Sequence, residues 1–180
     1  MERDGTTEDT AAEARRRAAI EEELRRLEES AMYSAQIQFE QAKRWRGVNL
    51  SLGIPASALA AVSGATALAS TTGRVAAGII ALIAAGFGGI LTTVNAAHRT
   101  TQASAAANAY LEIQTAARQA RLVDLPDLTI EEARAVLAEL TSRRDEQNKT
   151  AEPPSRRSYR RGSKNIERGE QSYAADKTED

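Results

Sequence analysis

The sequence has no cysteine, and its 180 residues include a single histidine, His98. A disulfide scaffold is therefore excluded, as is a Cys-ligated zinc or iron–sulfur site. With no second histidine to share an ion, His98 reads as a boundary residue and not a metal ligand. Excess charge of either sign is missing too. The 24 Lys and Arg nearly balance the 25 Asp and Glu, a net charge of −1, which gives no support to a nucleic-acid partner.

The most informative scarcity is local. Residues 1–46 carry 9 basic and 11 acidic groups and residues 99–180 carry 14 of each, yet Arg74 is the one charge between Arg46 and Arg99. A mean hydropathy of −0.45 thus averages two polar ends and one apolar block. An ordinary soluble domain interleaves charge along its whole length, so it is not the first reading here.

Arg74 divides the apolar block into two stretches, each longer than the ~20 residues that cross about 30 Å of hydrocarbon as a helix. Mean hydropathy is roughly +1.3 over 48–70 and roughly +1.9 over 75–97. Between them Ser70-Thr71-Thr72-Gly73-Arg74 is a polar turn short enough only for an antiparallel hairpin. Two consecutive helices without a charged face would need more surrounding protein than this chain supplies to be buried in a soluble core. A signal peptide does not fit, because the apolar stretch begins after 46 residues and runs too long. Lys43, Arg44, Arg46 and Arg99 flank the outer ends of the pair, so the positive-inside bias puts both termini in the cytoplasm.

Within lipid, helices associate through small residues that allow close backbone approach. Gly53, Ser57, Ala61 and Ala65 recur at four-residue spacing in the first stretch, and Ala77, Ala81, Ala85, Gly89 and Thr93 in the second. These rows suit either a tight hairpin or packing between protomers. Leu59, Ile80, Ile83, Phe87 and Ile90 fall largely off them and suit lipid or other chains. Pro55 should kink the first span by freeing the Ser51 carbonyl. Asn49, Ser57, Ser63, Thr66 and Asn95 are candidates to line a wet path, although each hydroxyl could equally bond its own backbone or a neighbouring helix. No ionisable residue lies mid-span, so there is no signature of a proton relay.

Outside the block, Ile20, Leu24, Leu27, Ala31 and Ala35 form an apolar stripe at 4-3-4-4 spacing on a helix expected from Ala11 to Arg46, broadened by Tyr33, Ile37 and Phe39. The second span can continue as helix to about Arg121, ahead of Pro126. Thr129 and Glu132 form a capping box for a helix to about Asn148, with Ile130, Ala133, Val136, Leu137 and Leu140 on one face. Residues 1–10 read as disordered. Residues 149–180 read as a polar, basic tail with room for a short helix near Ser163–Tyr173; its cations are either solvated or set against lipid phosphates. Gly86-Phe87-Gly88-Gly89 lies inside an apolar helix with no preceding strand, which excludes a phosphate cradle, and no nucleophile–base set is present. The reading is a non-enzyme with no cofactor. Its fold class is an all-α membrane protein: a two-transmembrane helical hairpin with a long cytoplasmic N-terminal helix and C-terminal cytoplasmic helices.

Several of these residues occur in a familiar order. Tyr33, Phe39 and Trp45 with Ala42-Lys43-Arg44 lead into Asn49-Leu50-Ser51-Leu52-Gly53-Ile54-Pro55, then the hairpin, a long helix, a further helix and Ile166-x-x-Gly169-x-x-x-Tyr173. In this the chain resembles the SLATT domain family, two-transmembrane effector domains associated with SMODS nucleotide synthases and SLOG sensors in bacteria. The resemblance runs from about Glu29 to Asp176 and places a SLATT-like domain at 11–148. It implies a bacterial inner-membrane protein of a nucleotide-signalling antiviral system, one that oligomerises and forms pores or disrupts the membrane. The trigger would come from a separately encoded nucleotide synthase or SLOG-type sensor.

Overall fold

Nothing in the sequence before Pro55 obliges the first helix to stop, and in the computed structural model it does not. The structure describes the backbone of residues 3–69 and 74–168, with side chains from 10–65 and 75–168. Helix α1 runs Arg3–Ala69, α2 Arg74–Val94, α3 Ala96–Gln119, α4 Ile130–Thr150 and α5 Arg156–Glu167, with a π-helical turn at Ala120–Asp124. No strand occurs among the described residues. The chain divides into two units, one of Met1–Glu40 with Ser104–Asp180 and the other of Gln41–Ala103.

The first unit is a helical bundle. The stripe on α1 is buried, Ile20, Leu24 and Leu27 as well as Ala31 and Ala35, against Tyr110, Ile113 and Ala117 of α3 and Ala133 and Leu140 of α4. Helical spacing puts these residues on one face, and burying each larger one removes about 1.5–3 kcal/mol of unfavourable hydration. The partners are the chain's own later helices. Polar ties fix the register. Arg17 donates from Nη2 to the Leu128 carbonyl at 2.9 Å and from Nη1 to that of Leu125. Arg121 pairs with the Glu28 carboxylate at 3.0 Å, both groups largely shielded. Tyr110 donates its hydroxyl to Asn148 Oδ1 at 2.7 Å, and burial pushes its ionisation above the usual tyrosine range.

At the start of α4, the Thr129 hydroxyl accepts from the Glu132 N–H while the Glu132 carboxylate accepts from both the hydroxyl and the N–H of Thr129. These bonds hold the Glu132 carboxyl below its ordinary pKa.

Four boundaries differ from those expected. Residues 3–10, expected to be disordered, are the first turns of α1, because no proline or turn pair separates them from the helix that follows. The second apolar helix does not continue unbroken. It stops at Val94, and Asn95 takes a left-handed φ of 49° before α3 begins. The helical run then ends at Asp124 instead of Arg121, because a π-turn bond from the Leu125 N–H to the Ala120 carbonyl, 2.8 Å, inserts one extra residue before Pro126. In the tail, the short helix lies at Arg156–Glu167, earlier than Ser163–Tyr173. Pro153-Pro154 gives an extended lead-in, and Ser155 caps the helix by accepting from the Ser158 N–H at 3.2 Å. Gly169 and Tyr173, and the turn residues Ser70–Gly73, lie outside the described residues.

Helix α5 is held by a close approach. A Cβ on Gly162 would meet Ile37 Cγ1 at 2.7 Å and the Ile37 Cα at 2.9 Å, so the two backbones touch where only glycine fits. Asn165 adds a bond from Nδ2 to Glu40 Oε1 at 3.3 Å. Gly162→Leu should therefore release α5, at the ~1–3 kcal/mol typical of overpacking. Amide exchange over Ser158–Ile166 should speed up while the amides around Leu24 stay protected; unchanged protection of α5 would contradict this packing.

Candidate membrane and assembly surface

The second unit holds the charge-free stretch. Its helices are long and apolar enough to cross a membrane. Most of their large apolar side chains point outward: Ile54, Val62, Val75, Ile79, Leu82 and Ile83 are all at least half exposed. In water this would be a large apolar surface without cover, whereas hydrocarbon accepts it without cost.

The two helices meet antiparallel. Ser63 donates its hydroxyl to the Ala77 carbonyl at 2.7 Å, and at the other end Gly53 faces Leu91 Cδ1 at 3.7 Å from its Cβ position. On α2 the shielded positions are Ala77, Ile80, Ala84, Phe87, Leu91 and Val94, with Gly88 beside Phe87; on α1 they include Leu52, Ala56, Leu59 and Ser63. This alternating three-and-four spacing is that of a straight seam between two helices. Leu59, Ile80 and Phe87, expected on the lipid side, therefore belong to the seam.

The small-residue rows follow a different line. Rows of four-residue spacing run obliquely to the helix axis, so they cross a straight seam instead of tracking it. Ala77 is buried and Gly53 touches the seam, but Ser57, Ala61, Ala65, Ala81, Ala85, Gly89 and Thr93 are exposed. A Cβ on Gly89 would meet nothing within 4 Å.

Two hydroxyls of the candidate polar lining are occupied. Ser57 donates to the Gly53 carbonyl at 2.9 Å within its own helix. Ser63 is buried in the seam. Asn49 is half-buried and Asn95 exposed. The Thr66 side chain lies outside the described residues. Pro55 sits within α1, which continues through it. His98 is exposed, and no group of three or more potential metal ligands exists among the described residues.

Sequence reasoning missed the arrangement at the base of this unit. Where Asn95 interrupts the helix, the Val94 carbonyl accepts from Arg99 Nε at 3.1 Å. The same guanidinium lies 4.9 Å from the centre of the Trp45 ring, and Arg44 lies 5.2 Å from it. One arginine thus closes the break in α2 and rests on the indole of α1, a cation–π contact worth about 0.5–1 kcal/mol or more. The available signal was Asn95 itself, since asparagine tolerates the left-handed region better than other non-glycine residues.

No family model, curated protein or solved structure matches this chain.

Asn95→Gly should stabilise the unit by about 1 kcal/mol, because glycine adopts a positive φ without the Cβ clash. Asn95→Val should destabilise it by at least as much. Thermal unfolding in detergent, followed by Trp45 fluorescence, reads both; equal melting of the two variants would mean that the positive φ is not maintained.

Proposed function

We propose that this chain is a bacterial inner-membrane effector of a nucleotide-signalling antiviral system, a multi-pass protein with both termini in the cytoplasm. It assembles with copies of itself and perforates or disrupts the bilayer, leading to cell death or dormancy. The observation that carries this reading is the exposed small-residue surface: Ala81, Ala85, Gly89 and Thr93 are left bare by the helix pair. Lipid supplies no hydrophobic drive to cover such a row, but a second protomer gains dispersion and close backbone contact there. The ordered likeness to the SLATT family from Glu29 onward supports the same reading. A nucleotide synthase or SLOG-type sensor, separately encoded, would supply the trigger.

A second reading has its own support. Ser57, Thr92 and Thr93 donate to carbonyls of their own helices, as expected of hydroxyls that satisfy themselves and do not face water. On that reading the hairpin is an anchor, and the cytoplasmic bundle recruits a partner.

Expression with a potential-sensitive dye separates the two. Gly89→Leu has room within the protomer, so it should insert normally while losing crosslinked oligomers, depolarisation and toxicity. Ile83→Leu, on the outer face, should behave as the parent. An equally toxic and oligomeric Gly89→Leu would remove the row as the assembly surface, and an inert parent at high expression, with and without a co-encoded sensor, would favour the anchor.

Topology is tested independently. A cysteine in place of Thr71 should react with an impermeant thiol reagent from outside, and one in place of Thr101 should not. The reverse labelling would invert the orientation.

A further inference from the structure

Helix α5 is docked by its small face and presents a row of cations on the other. Taken at 100° per residue, Arg156, Arg157, Arg160, Arg161, Lys164 and Arg168 fall within an arc of about 140° that holds one acid, Glu167, and Ser158, Gly162 and Asn165 lie opposite. All six cations are exposed, whereas Ser158 and Gly162 are buried. Most cations elsewhere in the bundle are paired. Arg17, Arg25, Arg26, Arg121, Arg143, Arg144 and Lys149 each stand beside a carboxylate. None of the six on α5 has a carboxylate partner among the described residues. Six like charges gathered on a little over three turns repel one another, and the close fit at Gly162 holds that face outward despite the repulsion.

We infer that this face binds the phosphates of anionic lipid headgroups on the cytoplasmic leaflet, making α5 a surface-bound clamp for the helix it packs against. The inference rests on the membrane reading above. Two features favour lipid over other anions. Ile37 and Glu40, where α5 docks, precede the start of the charge-free stretch at Gly47 by only ten and seven residues of the same helix. Arginine, which supplies five of the six cations, presents a planar fork that matches phosphate oxygens in pairs. Each cation near an anionic surface changes binding by about fivefold, so the whole row makes α5 strongly selective for anionic over zwitterionic lipid.

The test uses the full chain in vesicles of phosphatidylcholine alone or of phosphatidylcholine with phosphatidylglycerol. Because the sequence has no cysteine, Glu167→Cys carries a single environment-sensitive dye on the cationic arc. In phosphatidylglycerol vesicles the dye should shift to the blue and be shielded from acrylamide, and high salt should reverse both changes. Replacing Arg157, Arg160, Arg161 and Lys164 with glutamine should abolish the difference between vesicles, and replacing the three arginines with lysine should largely keep it. Melting of the bundle should be unchanged in both variants, since these side chains are exposed and pair with no carboxylate of it. Equal shielding in the two vesicle types, high or low, overturns the inference if the protein still resists carbonate extraction. Equal protection of the dye by an RNA oligonucleotide in phosphatidylcholine vesicles overturns it as well, because the face would then be a general polyanion site. Release by carbonate would remove the membrane reading itself, and this inference with it.

Discussion

A backbone N–H or C=O surrounded by apolar side chains has to find its partner in the same chain, since leaving it unpaired costs several kcal/mol. That constraint organises residues 47–69 and 74–97. It makes these stretches helical, and it draws Ser57, Thr92 and Thr93 back onto carbonyls of their own helices. It also explains why the interruption at Asn95 sits where an arginine can repair it. Arg99 satisfies the Val94 carbonyl and keeps its charge over the Trp45 ring, so a polar break is tolerated beside apolar helices. Had the positive φ fallen a few turns earlier, no charged side chain would have been near enough to take that carbonyl.

The first unit obeys a different rule. Its stability comes from removing Leu24, Leu27 and Ile113 from water, and its specificity from polar ties such as Arg17 to the turn carbonyls and Glu28 to Arg121. Helix α1 takes part in both regimes without a break, because the intrinsic preference of its residues is helical throughout and Pro55 is the only proline within it.

Much of this was legible in the sequence wherever one physical effect dominated. The stripe from Ile20 to Ala35 and the face from Ile130 to Leu140 follow from period alone, and the Thr129–Glu132 cap from side-chain chemistry. The failures came where two effects competed. The four-residue spacing of small residues was visible, but the seam between the two helices runs at alternating three and four, so Leu59, Ile80 and Phe87 were assigned to the wrong side. Asn95 looked like one more helical residue because its neighbours are good helix formers and its backbone conformation leaves no periodic trace. Gly162 was hidden among arginines, although a glycine in the middle of a charged helix carries an entropic cost that implies a close contact. The short tail helix was misplaced by several residues because its cap, Ser155, follows two prolines that read as the end of structure.

The pairings of the bundle are long-range in sequence, and this sets an order for synthesis. Arg17 waits for Leu128, Glu28 for Arg121, and Glu40 for Asn165, separations of 111, 93 and 125 residues. At about 5–20 residues per second, the stripe on α1 spends several seconds or more outside the ribosome before its partners exist. Both apolar helices are made within that interval. The nascent chain thus offers an amphipathic helix without its bundle at the moment its most apolar segment emerges. On the membrane reading proposed above, targeting has to outrun self-association of that stripe, and α5, made last of the described helices, docks only after every other contact can have formed.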